Sequence, residues 1–160
     1  ISDNAFIKSM NSFKGLSHRY EIFFKKRGVT FINDSKATSL QSSKFALASS
    51  KNIYWIVGGL PKVKDKIDLN DVKNNIIKSY IIGKNISFFK KQLKNKVKFT
   101  IKKTLRNAVI SILKEIKLSN KIKNVILLSP GAASFDQYKN FENRGNEFKK
   151  LSKLYAKKFI

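Results

Sequence analysis

An apolar run that breaks off in a charged turn constrains this chain more than anything else in it. Residues 29–39 read VTFINDSKATS. Val29, Phe31 and Ile32 end in Asn33-Asp34-Ser35-Lys36, and hydroxyl residues then open a helical stretch. Open α/β sheets place their ligands where buried strands empty into polar turns, at the carboxyl ends of the strands. The layout recurs twice. Residues 52–59 (NIYWIVGG) run into Leu60-Pro61-Lys62, and residues 123–128 (KNVILL) run into SPGAASFD. Three polar turns at three strand ends are expected to converge on one site.

The rest of the chain supplies the sheet and its cover. Ile1, Ala5, Phe6, Met10 and Phe13 have loosely helical spacing, closed by Gly15. Runs 20–25 and 29–33, joined by Lys26-Arg27-Gly28, predict a β-hairpin. A helix is expected over 38–49, with Thr38 and Gln41 at capping-box spacing, then a buried strand over 53–57. Leu69, Val72 and Ile76 predict one helix face, and 80–82 a strand. Ile86, Phe89 and Leu93 mark a short helix, and 97–101 a further strand. Over 104–117, Leu105, Ala108, Val109, Ile112, Leu113 and Ile116 form one apolar stripe. A last strand over 125–128 precedes a closing helix carrying Phe141, Phe148, Leu151, Leu154 and Tyr155, its first turns weakened by Gly145. Strands alternating with helices after a hairpin predict an α/β fold: a mostly parallel sheet flanked by helices, with an N-terminal β-hairpin.

Composition narrows the function classes. At 160 residues the chain has the length of one domain. No apolar run reaches the roughly 18 to 20 residues of a membrane span. With no cysteine there is no disulfide framework and no thiolate metal site, which fits a cytoplasmic location. The formal charge of +24, from 34 Lys+Arg against 10 Asp+Glu, raises nucleic acid as a partner. The excess is nearly all lysine, evenly spread among Asn, Ile and Phe; arginine occurs only at 19, 27, 106 and 144. Arginine is the residue of bidentate phosphate and base recognition, so the charge reads as mainly compositional, with no specific nucleic acid expected.

Each turn has a functional reading beside a plain one. In NDSKATS, Asp34 suits a ribose hydroxyl or a cation, Lys36 an anion, and Thr38 a carboxylate or phosphate oxygen; turn chemistry and an ordinary N-cap explain the same types. In GGLPKVKDK, Lys62, Lys64 and Lys66 compete as a point-charge anchor, and no complete phosphate-loop pattern is present. In SPGAASFDQ, small residues and backbone N–H groups suit close approach by an anion, and Ser134 with Gln137 also has capping-box spacing. His18 is the single histidine, with no carboxylate cluster beside it; Arg19 is the better anion ligand. No metal site and no complete set of catalytic groups is expected on this chain.

Taken together and in order, GLSHRYE, FINDSKATS, GG-x-x-K and LLSPGAASFDQYKNFENRGNEF resemble the C-terminal domain of the Mur ligases, over nearly the whole chain from about Phe13. The resemblance is to the branch that adds D-glutamate. It implies a Rossmann-like domain over residues 15–160, and makes residues 1–14 the tail of a central ATPase domain that would precede them. It implies an ATP-dependent ligase of peptidoglycan synthesis: ATP phosphorylates the alanine carboxylate of UDP-N-acetylmuramoyl-L-alanine, and the amine of D-glutamate attacks the acyl phosphate. Mg2+ ligands are expected on the central domain, and this chain alone is expected to be inactive. By motif, Arg19 would reach the ATP phosphates and Asp34 the ribose side. Lys36 and Thr38 would lie by the amino acid and the transferred phosphoryl group. Lys62 would pair with the side-chain carboxylate of D-glutamate, and Ser134, with the backbone around Phe135 and Phe141, would complete that pocket.

Two departures from the family pattern stand out. GGLPKVKDK lacks the usual glycine-rich spacing around the lysine, leaving Lys62 preferred over Lys64, and Phe135 stands where a smaller apolar residue is common. The rival expectations are a sister ligase using another amino acid, and a lysine-rich domain binding nucleic acid or another polyanion.

Overall fold

A computed structural model describes residues 15–160. The expected helix over 1–14 lies outside them. Among the described residues the chain forms β1 (Glu21–Lys26), β2 (Val29–Asn33), α1 (Leu40–Ala48), β3 (Ile53–Gly58) and β4 (Ile76–Ile82). It continues through α2 (Ile86–Leu93), β5 (Phe99–Lys103), α3 (Leu105–Leu118), β6 (Asn124–Leu128) and α4 (Phe141–Phe159). The expected α/β class is present. β1 and β2 form the antiparallel hairpin, and β2, β6, β3, β4 and β5 are parallel, in the sheet order β1-β2-β6-β3-β4-β5.

Two apolar layers sandwich the sheet. On one face Leu40 and Leu47 of α1 and Phe89 and Leu93 of α2 pack with Trp55, Val57 and Leu127. On the other, the α3 stripe and Phe148 of α4 pack with Phe31, Ile56 and Leu128. The wholly apolar β3 is buried along its length, as a strand covered on both faces must be.

This order fixes where a ligand can sit. The chain steps outward from β2 to β5 with α1 and α2 on one face, then α3 carries it back to β6 on the other. Right-handed crossovers require that change of face when direction reverses. β6 therefore lies between β2 and β3, yet it leaves toward α4 while β2 leaves toward α1. Adjacent strands whose exits part to opposite faces open a crevice at their carboxyl ends. The three polar turns lie at that crevice.

Three expectations need correction. Leu69, Val72 and Ile76 do not mark a helix: residues 73–75 make a single 3-10 turn and Ile76 begins β4. Leu69 and Val72 are buried at the spacing of a helix face because a loop packs on the sheet, and Asn75 holds it by donating to Leu47 O at 3.0 Å. Thr38 is not the cap of α1; Ser39 is, its side chain accepting from Ser42 N. No helix follows Ser134, whose carbonyl instead closes a turn by accepting from Gln137 and Tyr138.

Candidate functional site at the carboxyl ends of β2, β6 and β3

The turn after β2 is held from beneath. Asp34 accepts from Tyr20 N at 3.0 Å through one carboxylate oxygen and from Ser129 Oγ at 2.7 Å through the other. It thus ties the hairpin entrance to the end of β6. Burial raises its pKa, against those two hydrogen bonds and the charge of Arg19, which all lower it. A carboxylate has lone pairs beyond these two, so Asp34 keeps acceptor capacity toward the cleft. Arg19, Asp34 and Lys36 line one cleft of about 290 Å³ with Tyr20, Ala37, Ser42 and Phe45.

A second polar cluster sets the approach to this turn. Asn33 Nδ2 donates to His18 Nδ1 at 2.9 Å and to Glu21 Oε2 at 3.0 Å, and His18 N donates to the same oxygen. Burial pulls the Glu21 pKa up, but the Lys149 hydrogen bond and charge, with the donors from His18 and Asn33, bring it below the usual value. His18 packs edge-on against Phe141, and Lys36 Nζ sits 4.0 Å from the centre of that ring. An exposed cation–π contact is worth about 0.5–1 kcal/mol, weak enough for an anion to draw the exposed Lys36 away.

The turns after β3 and β6 are joined to each other. Leu60 and Ala133 exchange backbone hydrogen bonds, Leu60 N to Ala133 O at 2.8 Å and Ala133 N to Leu60 O at 3.0 Å. The bridge is antiparallel, so Lys62, two residues past Leu60, and Ser134 and Phe135, just past Ala133, leave it in opposite directions. Gly59 has φ +141, and an added Cβ would run into Ala133 O, so this position needs glycine. The small residues of SPGAAS serve the same closeness. Gly131 N donates to Ala37 O and Ala133 N to Leu60 O, so these two N–H groups are engaged by the protein itself. The expected anion loop is narrower than its sequence implies.

Arg144 ties the β2 turn to the β6 turn and faces the third, a position its local sequence context did not mark out. It sits in the first turns of α4 with 1% exposure. Its Nε donates to Ser35 Oγ at 3.0 Å, and its Nη2 to Ser35 O at 2.8 Å and Ala132 O at 3.0 Å. Its Nη1 has no partner among the described residues and faces the third turn, where a Cβ on Gly59 would lie 3.2 Å away. Burial lowers its pKa to about 10, so it remains a cation at neutral pH. A signal was available: an arginine kept in a chain where nearly every other cation is lysine. Ser35 and Ser129, both fully buried, were missed as well.

The candidate residues fall into two groups around this tie. Arg19, Asp34, Lys36 and Phe141 gather on the β2 side, where Arg19, Lys36 and Phe141 also share a shallow cleft with His18. Lys62, Ser134 and Phe135 lie on the bridged β3 and β6 turns; Lys62 and Phe135 are exposed and Ser134 is 2% exposed. Half-buried Thr38 stands at the end of the β2 turn, relieved of capping, and lines neither cleft. The exposed cations suit carboxylate or phosphate groups. Among the described residues no three His, Asp or Glu side chains gather as an all-protein metal site requires.

No protein-family model matches the chain. Curated proteins do. It is 40% identical over 148 residues to the UDP-N-acetylmuramoylalanine–D-glutamate ligase of Agrobacterium fabrum, covering 92% of this chain and 32% of that protein. The ligase of the same name from a Wolbachia of Brugia malayi is 42% identical over 148 residues, covering 92% and 30%. That of Rhizobium meliloti is 40% identical, covering 92% and 32%. The chain spans about a third of the length of the curated relatives it matches, their C-terminal part. With the doubly wound sheet and the three joined turns, this likeness extends over nearly all of the chain, which is similar to the C-terminal part of the D-glutamate-adding Mur ligases.

Proposed function

We propose that this chain is the amino-acid-receiving domain of a cytoplasmic, ATP-dependent ligase that joins D-glutamate to UDP-N-acetylmuramoyl-L-alanine. In this reading residues 15–160 are that domain and residues 1–14 the end of a central ATPase domain. The carrying observation is the gathering of exposed cations and hydroxyls on three turns that the buried Arg144 and the Leu60–Ala133 bridge hold in fixed relation.

D-glutamate offers two carboxylates and an amine. Lys62 takes the side-chain carboxylate as a point charge, and Ser134, Thr38 and the backbone near Phe135 and Phe141 complete the pocket with hydroxyl and N–H donors. Arg19 and Asp34 face the nucleotide at its phosphates and ribose. ATP transfers its γ-phosphoryl group to the alanine carboxylate and leaves as ADP. The deprotonated amine of D-glutamate attacks the carbonyl carbon, the tetrahedral intermediate expels phosphate, and an amide bond remains. Lys36, released from the Phe141 ring, neutralises charge on the phosphoryl group. Closure of the domain over the site excludes water that would hydrolyse the acyl phosphate. By itself the chain lacks a phosphate loop and turns over no ATP.

The lysine assignment is tested by phosphate release in a longer ligase chain carrying this domain. Lys62→Ala is expected to raise the KM for D-glutamate far more than Lys64→Ala. The reverse order would move the carboxylate to Lys64 and break the proposed pocket.

A further inference from the structure

A concavity lies away from this site, at the amino ends of β2, β6 and β3. It encloses about 620 Å³ and is bounded by the β1–β2 hairpin turn, the entry to β3 and the entry to β6. Lys25, Lys26, Arg27, Lys51 and Lys123 line it, and no carboxylate does. Lys26 is already engaged, its Nζ donating to Ala156 O at 3.2 Å near the end of α4. Lys25, Arg27, Lys51 and Lys123 are exposed and take part in no ion pair among the described residues. Four cations round one hollow repel one another, and a multivalent anion relieves that repulsion.

A second observation narrows the ligand. Asn124 lines the same hollow and is 3% exposed; its Nδ2 donates to Lys121 O at 3.1 Å, while its Oδ1 has no partner among the described residues. A buried acceptor without a donor is uncommon and calls for a hydroxyl or N–H group. Ser50, Asn52 and Thr30 surround it with further neutral hydrogen-bonding groups. No aromatic ring lines the hollow, so a nucleobase finds no stacking surface there.

From this convergence of free cations and a buried unpartnered amide oxygen we infer a binding site for a small hydroxylated polyanion, a phosphorylated sugar or polyol, separate from the ligase site. The phosphates lie among Lys25, Arg27, Lys51 and Lys123, and a ligand hydroxyl donates to Asn124 Oδ1. The inference does not depend on the proposed ligase activity, since it concerns the opposite end of the sheet.

Amide NMR of this chain at physiological ionic strength tests it, with fructose 1,6-bisphosphate as probe and pyrophosphate as its hydroxyl-free comparator. Saturable shifts confined to Gly28, Asn52 and Asn124 are expected, with pyrophosphate weaker by roughly fivefold, the worth of one hydrogen bond. The double variant Lys51→Glu/Lys123→Glu changes exposed positions only; it should keep the native spectrum and lose the binding. Equal affinity for pyrophosphate would remove the hydroxyl recognition. Shifts scattered over the lysine surface, or none in the hollow, would overturn the site.

Discussion

Replacing Arg144 by methionine separates a structural tie from a passive buried residue. The side chain keeps its length and loses the three hydrogen bonds to Ser35 Oγ, Ser35 O and Ala132 O. Hydrogen bonds from a charged donor contribute about 1.5–3 kcal/mol each. Against their sum stands the cost of burying a guanidinium with its Nη1 unpartnered, which the variant escapes and which amounts to several kcal/mol. The difference is a net loss of about 3 kcal/mol, or roughly 6–12 °C in Tm for a chain of this size. Arg144→Lys should lose nearly as much, because one ammonium cannot span both Ser35 and Ala132 as the guanidinium fork does. Thermal melts with amide NMR provide the assay, and the shifts should move at Ser35, Gly59 and Ala132, one on each turn. A Tm within about 2 °C of the parent, with those shifts unchanged, would refute the tie.

Three further changes test neighbouring parts of the account. Gly145→Ala would gain roughly 1 kcal/mol from helix propensity alone, but its Cβ would run into His18 Nδ1, so thermal melts should show destabilisation. The lowered pKa of Glu21 contributes stability that is present above its unfolded value of 4.5 and is lost as pH falls through the folded value. Glu21→Gln should therefore be less stable at neutral pH and lose less on acidification; an unchanged acid limb in pH-dependent urea melts would contradict this. Ala133→Pro removes the N–H that donates to Leu60 O, and should raise the KM for D-glutamate in the longer ligase while leaving that for ATP within about twofold, since the nucleotide side rests on the other turn.

Much of the fold was legible because local chemistry and burial agreed. The unbroken apolar run of β3 and the stripe of α3 could be read directly, and both are buried where expected. β4 was half missed: Lys78 and Ser79 interrupt its apolar pattern, the first pairing with Glu115 and the second buried inside the sheet. Leu69 and Val72 imitated a helix because a loop lying on a core also buries residues three apart. Thr38-x-x-Gln41 and Ser134-x-x-Gln137 carry capping-box spacing that neither position uses. The three turns at the crevice were legible from their polarity alone. Their attachment to one another was not, since Arg144 reaches Ser35 across 109 positions, a contact that no local pattern encodes.

In the proposed function this domain delivers D-glutamate to an acyl phosphate. ATP-dependent phosphate release by a longer ligase chain containing it, supplied with UDP-N-acetylmuramoyl-L-alanine, tests that claim most directly. D-glutamate would be compared with L-glutamate, L-lysine and diaminopimelate. Release that depends on D-glutamate alone is the predicted result. Release favouring another of these amino acids would keep the fold but contradict the pocket assigned to Lys62 and Ser134, and release with none of them would contradict the ligase reading itself.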